Sequence, residues 1–155
     1  MVDPGRFSTL SYLYFGWVTM REVELGNLAA VQRAAGVSFS NQIDAPIKDR
    51  DLDVVDDPGG LGPGTGNGGG DTLYRTREGI ERFFITDINN PAATAVAQSE
   101  VPVMMGTAST DAQNFNHVPG GSNVLYMDGH ADFIKYPGPY PVSRSAAEII
   151  DTSNF

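Results

Sequence analysis

Cysteine is absent from this chain of 155 residues, which excludes disulfides, thiolate metal centres and cysteine nucleophiles. Histidine is almost as scarce, so any imidazole chemistry must run through His117 or His130. No stretch reaches the ~18 apolar residues of a membrane-spanning helix, and Met1-Val2-Asp3-Pro4-Gly5 is no basic region leading into an apolar run. Direct membrane insertion is therefore not expected. Basic residues are also few: 10 Lys and Arg stand against 19 Asp and Glu, and the net charge of −9 opposes affinity for nucleic acid or an anionic bilayer. There is no Gly-x-Ser-x-Gly elbow to expose a serine nucleophile, and no Gly-Lys-Ser/Thr closes a phosphate loop.

The chain does have material for a core. Hydrophobic residues make up 41%, with eight Phe, six Tyr and one Trp, and the length suits a single domain over residues 1–155. Thr9 to Met20 (TLSYLYFGWVTM) is rich in aromatic and β-branched residues and reads as a strand. Glu24 to Ala35 sets Leu25, Leu28, Ala29, Gln32 and Ala35 on one helical stripe, with Gly36 placed to end the helix. Ile80, Phe83 and Phe84 predict an amphipathic helix over Thr76 to Thr86. Asn90-Pro91 opens a further helix to Gln98, and Val101 to Met105 reads as a buried strand. Asp128-Gly129 predicts a two-residue hairpin turn with Met127 opposite His130, between SNVLYM and HADFIK. Pro119-Gly120-Gly121 makes an earlier turn, so that Asn114 to His117 supplies a third strand of an antiparallel meander. Ser145-Ala146-Ala147-Glu148 has capping-box spacing for a last short helix. The expected class is α+β.

One segment differs from the rest. An acidic, glycine-rich loop over residues 44–71 carries seven Asp against Lys48 and Arg50, and eight of the thirteen residues from Pro58 to Gly70 are Gly. Ordering such a stretch costs roughly 1 kcal/mol or more of backbone entropy per residue, and its sole aliphatic side chain, Leu61, offsets little of that. Contact with a neighbouring subunit is the expected source of order. Its carboxylates also invite a hard cation: Asp49, Asp51, Asp53, Asp56 and Asp57 are candidate Ca²⁺ ligands, although Val54 and Gly60 stand where an EF-hand needs Gly and Glu. A second candidate metal group, with hydrolytic potential, is His130 with Asp128 and Asp132. His117 would stand roughly 17 Å from Asp128 along a strand rising ~3.3 Å per residue, too far to share one ion.

The text FNHVPGGSNVLYMDGHADFIKY resembles the signature of prepilin-type processing-associated, pseudopilin-like proteins, named for a His, nine intervening residues and Asp-Gly. Upstream, YRTREGIERFFITDINNPAATAVAQSEVPVM is similar to the segment preceding that signature in planctomycete-type members. The signature residues are His117, Gly120, Gly121, Asp128, Gly129 and His130, with ten residues between His117 and Asp128 rather than nine. Family members usually begin with a processed leader and a long apolar helix. This stretch, lacking that prepilin helix, is expected to be a C-terminal portion of a longer product or a lineage that assembles without it.

The resemblance implies a bacterial, exported, pilin-like globular domain at the cell surface, partnered by itself in a filament or an assembly related to type II secretion. It implies no enzymatic activity. Two other functions fit the residues: a Ca²⁺-dependent glycan-binding surface module, and a metal-dependent hydrolase using His130.

Overall fold

A computed structural model describes residues 12–37, 47, 49–83, 97–111, 115 and 120–153. Alternation begins at once: in β1 (Tyr12–Tyr14) Leu13 is buried between two exposed tyrosines. The strand is shorter than the aromatic run suggests, because beyond Phe15 the chain leaves the sheet and Trp17 forms an isolated bridge with Arg75. Helix α1 (Glu22–Ala34) follows. Its first turn is closed by Glu24, whose Oε2 accepts the backbone N–H groups of Met20 and Arg21 at 2.6 and 3.2 Å while Oε1 takes the Arg21 guanidinium. At the other end Gly36 takes φ 72°, the left-handed conformation that ends helices.

Short antiparallel strands β2 (Leu52–Asp53) and β3 (Thr72–Leu73) frame the glycine-rich stretch. The main sheet continues with β4 (Pro102–Gly106), β5 (Gly121–Tyr126) and β6 (Ala131–Lys135), in the order β1-β4-β5-β6 with every pair antiparallel. Helix α2 (Arg144–Ser153) closes the described chain. Both helices lie on one face of the sheet, where Leu25, Leu28 and Val31 of α1 and Ala146, Ala147 and Ile150 of α2 share a core with Leu13, Met105 and Val124. The protein is thus α+β, with a meander built from β4, β5 and β6.

Several expectations are corrected. The region around Ile80 is not an α-helix from Thr76: Gly79 at φ 78° interrupts it, and only a 3₁₀ turn forms over Ile80–Phe83. The rest of that stretch lies outside the described residues, as does the helix predicted from Pro91, except that residues 97–100 are helical. Of the strand expected over Asn114 to His117 only Phe115 is described, so that expectation lies outside the described residues; β4 and β6 occupy the two sides of β5. Helix α2 is capped by Ser143 rather than Ser145, through the Ala146 N–H at 3.1 Å.

The glycine-rich stretch does have partners, and they belong to its own chain. Asn27 of α1 accepts the Leu61 N–H at 2.7 Å and donates to the Thr65 carbonyl and hydroxyl at 2.9 and 2.8 Å. Arg21 donates to the Gly66 carbonyl at 3.0 Å, and Asp71 accepts the Gly64 N–H at 2.7 Å. Close approach explains one of the glycines: a Cβ on Gly59 would stand 2.4 Å from the Ala30 carbonyl oxygen. Hydrogen bonds within the chain hold this stretch. Polar groups of α1, rather than apolar burial, supply that order.

Candidate interaction face and hairpin tip

The hairpin tip gathers more of the signature than any other place described. Tyr126 N–H donates to the His130 carbonyl and Gly129 N–H to the Tyr126 carbonyl, both at 2.9 Å, so Met127, Asp128 and Gly129 form a three-residue loop. The expected two-residue turn is therefore corrected: Tyr126, not Met127, faces His130. With φ 91°, Gly129 takes the left-handed position that follows a type I turn in such loops. Met127 N–H is freed for the Val101 carbonyl, at 2.9 Å.

His130 stacks on Tyr126 with ring centroids 4.4 Å apart and planes 5° from parallel. Its Nδ1 lies 2.5 Å from Asp128 Oδ1 and its Nε2 3.5 Å from Asp132 Oδ2. The His130 backbone N–H and then its ring hold the Asp128 carboxyl below the usual carboxylate range. Asp128, His130 and Asp132 are thus neighbours, yet the described residues contain no group of three or more His, Asp or Glu with a geometry that could hold a metal ion. The imidazole lies between two carboxylates and pairs with each through a different nitrogen, which orients the ring and locks the turn. His117 lies outside the described residues. Gly120 and Gly121 lead into β5, and the Phe133 ring covers Gly121 so closely that a Cβ there would meet Phe133 Cζ at 2.5 Å.

The candidate calcium ligands are spread over separate tasks. Asp57 holds Arg50 through both carboxylate oxygens, at 2.8 and 2.6 Å, and also accepts the Asp53 N–H at 2.7 Å. The Arg50 side chain, then the Asp53 N–H, set the Asp57 carboxyl below its ordinary range. Asp53 Oδ1 accepts the N–H groups of Val55 and Asp56. Asp51 accepts the Arg75 N–H at 2.7 Å and meets Arg77 at 3.2 Å. Asp49 is exposed. Asp51, Asp53 and Asp57 act as internal braces of the loop, and among the described residues no three carboxylates gather into a metal-holding group.

A further feature is the sheet face turned away from the helices. Register places Tyr14 beside Met104, Met104 beside Leu125 and Leu125 beside Ala131, a row that crosses four strands. Tyr12 and Phe133 flank the row, at 61% and 55% exposure. Adjacent apolar residues such as Leu13-Tyr14, Met104-Met105 and Val124-Leu125 were the available signal, since neighbours on a strand point to opposite faces. At one end of the row the Arg75 guanidinium lies over the Tyr14 ring at 5.9 Å and over Trp17 at 4.8 Å.

At the sheet edge, Asp132 pairs with the buried Val124 and so occupies an inward position of β6, yet its side chain is 70% exposed. A charge in that position discourages another strand from pairing with the edge.

No family model, curated protein or solved structure matches the chain.

Proposed function

We propose that this protein is a non-enzymatic, pseudopilin-like structural subunit that self-assembles at the bacterial cell surface through the outer face of its main sheet. The observation that carries the reading is the apolar row Tyr14, Met104, Leu125 and Ala131, flanked by Tyr12 and Phe133. Contiguous exposed apolar surface on a sheet is a feature of interaction sites, and interface centres are depleted of charge. In a chain of net charge −9, a second copy meets least repulsion where carboxylates are missing, and none of these six residues is Asp or Glu. The inward Asp132 guards the edge and leaves the face as the docking surface.

The signature residues support the same reading. Gly121 and Gly129 build the hairpin, and Asp128 with His130 fixes its tip. These roles are architectural, as expected of a packing subunit that resembles the prepilin-type processing-associated family.

Sedimentation velocity over a wide concentration range tests the proposal. The wild type should associate, and Met104→Glu with Leu125→Glu should yield monomers that melt as the wild type does. A wild type that stays monomeric at the highest concentration, or a double variant that associates equally, would overturn it.

A further inference from the structure

The turn ahead of the 3₁₀ segment faces β4 across a cleft of about 510 Å³, whose walls include Arg77, Glu78, Arg82, Gln98, Val103 and Met127. That volume lies within the ~300–1,000 Å³ of small-molecule sites, and the mixture of apolar floor and a few polar groups is the composition such sites use. The turn stays open because Gly79, at φ 78°, has no side chain to fill it and would have no atom within 4 Å of an added Cβ.

The charge is out of keeping with the rest of the molecule. The chain has only 10 basic residues against 19 acidic ones, yet two guanidinium groups line this one cleft. Two other arginines are neutralised locally: Arg50 is gripped by two oxygens of Asp57, and Arg21 is bound through two nitrogens to Glu24. Arg77 touches Asp51 through a single nitrogen at 3.2 Å, which leaves other donors of its fork for a ligand. Arg82 is exposed and forms no ion pair among the described residues. Glu78 supplies one opposing charge, which disfavours a dianion and leaves room for a single negative charge. Gln98 adds an amide that can donate to a carboxylate oxygen, and Val103 and Met127 provide apolar surface.

We infer that this cleft binds a small monocarboxylate, its charged end between Arg77 and Arg82 and its apolar part against Val103 and Met127. The cleft shares no residue with the outer sheet row, so its occupancy and subunit association can be tested independently.

Phenylacetate serves as the probe, followed by amide chemical shifts on the full chain. Phenylacetamide tests the need for charge, and inorganic phosphate tests charge without an apolar group. Phenylacetate should shift the amides of Arg77 to Arg82 and of Met127, and should bind about tenfold more tightly than either control, the scale of one charge-assisted hydrogen bond. Arg82→Gln, at an exposed position outside the loop braces, should weaken it about tenfold with an unchanged melting temperature. Equal binding of phenylacetamide or phosphate, unaltered affinity in Arg82→Gln, or no shifts in the cleft would each overturn the inference.

Discussion

Asn67 Nδ2 donates to the Val18 carbonyl at 3.0 Å, joining the glycine-rich stretch to a segment 49 residues earlier. The same amide accepts the Tyr74 N–H at 2.8 Å through Oδ1. Val18 in turn donates its N–H to the Tyr74 carbonyl at 2.8 Å, so the three residues form one closed backbone-to-side-chain brace. Asn67 is only 7% exposed, and its removal strands a donor and an acceptor away from water. Asn67→Ala should destabilise by about 2 kcal/mol in urea unfolding. A change below about 0.5 kcal/mol, the range of ordinary surface substitutions, would show that water replaces the brace.

The hairpin loop makes a finer prediction than folding or not folding. Gly129 has φ 91° and nothing within 4 Å of an added Cβ, so the cost of a side chain there is conformational rather than steric crowding. Asn enters the left-handed region far more readily than a β-branched residue. Gly129→Asn should therefore cost less than about 1 kcal/mol, and Gly129→Val more than about 2 kcal/mol. Equal melting temperatures for the two variants would contradict the loop assignment.

Strands and α1 were legible in the sequence because each carries its own period: Leu25, Leu28 and Ala29 mark one helical face, and Asp128-Gly129 marks the hairpin. The loop length at that hairpin was not legible, since Asp-Gly serves both two- and three-residue loops, and the choice rests on Met127 finding Val101. The helix expected over Thr76 to Thr86 gave way because Gly79 was free to leave the helical region and Ile80 could be buried beside Val18 and Val101 without a full helix. Long-range polar braces escape any local reading. Nothing around Asn27 tells that its side chain meets Leu61 and Thr65, so the loop's partners within its own chain were not legible. Likewise the Asp spacing resembles a cation loop, while Arg50 claims Asp57, and the Arg75 N–H and the Arg77 side chain claim Asp51 from a distance.

Asp57 gives the acidic loop a pH dependence of definite sign. Its carboxyl titrates below the ordinary value because Arg50 and the Asp53 N–H favour the ionised form. A carboxyl depressed on folding contributes stability above its unfolded value, near ~4, and loses it as pH falls through the lower folded value. Asp57→Asn should cost about 1 kcal/mol at pH 7, a modest figure because solvent screens such pairs and the Arg50 side chain is 49% exposed. Melting temperatures of the two proteins should then converge below about pH 4. A gap that stays constant from pH 7 to acid would assign the effect to lost packing instead.

Asp132 tests whether the edge of the sheet is guarded by charge. It occupies an inward register position opposite Val124, next to Ile134, which packs on the core, and its carboxylate reaches His130 Nε2 at 3.5 Å. Asp132→Val replaces that charge with a residue that favours strands and should not disturb the β5 pairing. The variant should melt within about 0.5 kcal/mol of the wild type yet form larger species with a gain in strand signal by infrared spectroscopy, because β6 is then open to another strand. Introducing Leu125→Glu should leave that new association intact, since it acts on the sheet face and not on its edge. If Asp132→Val stays the size of the wild type, the inward charge is not what protects β6. If Leu125→Glu abolishes the new species, face and edge are one surface and the separation argued for assembly fails.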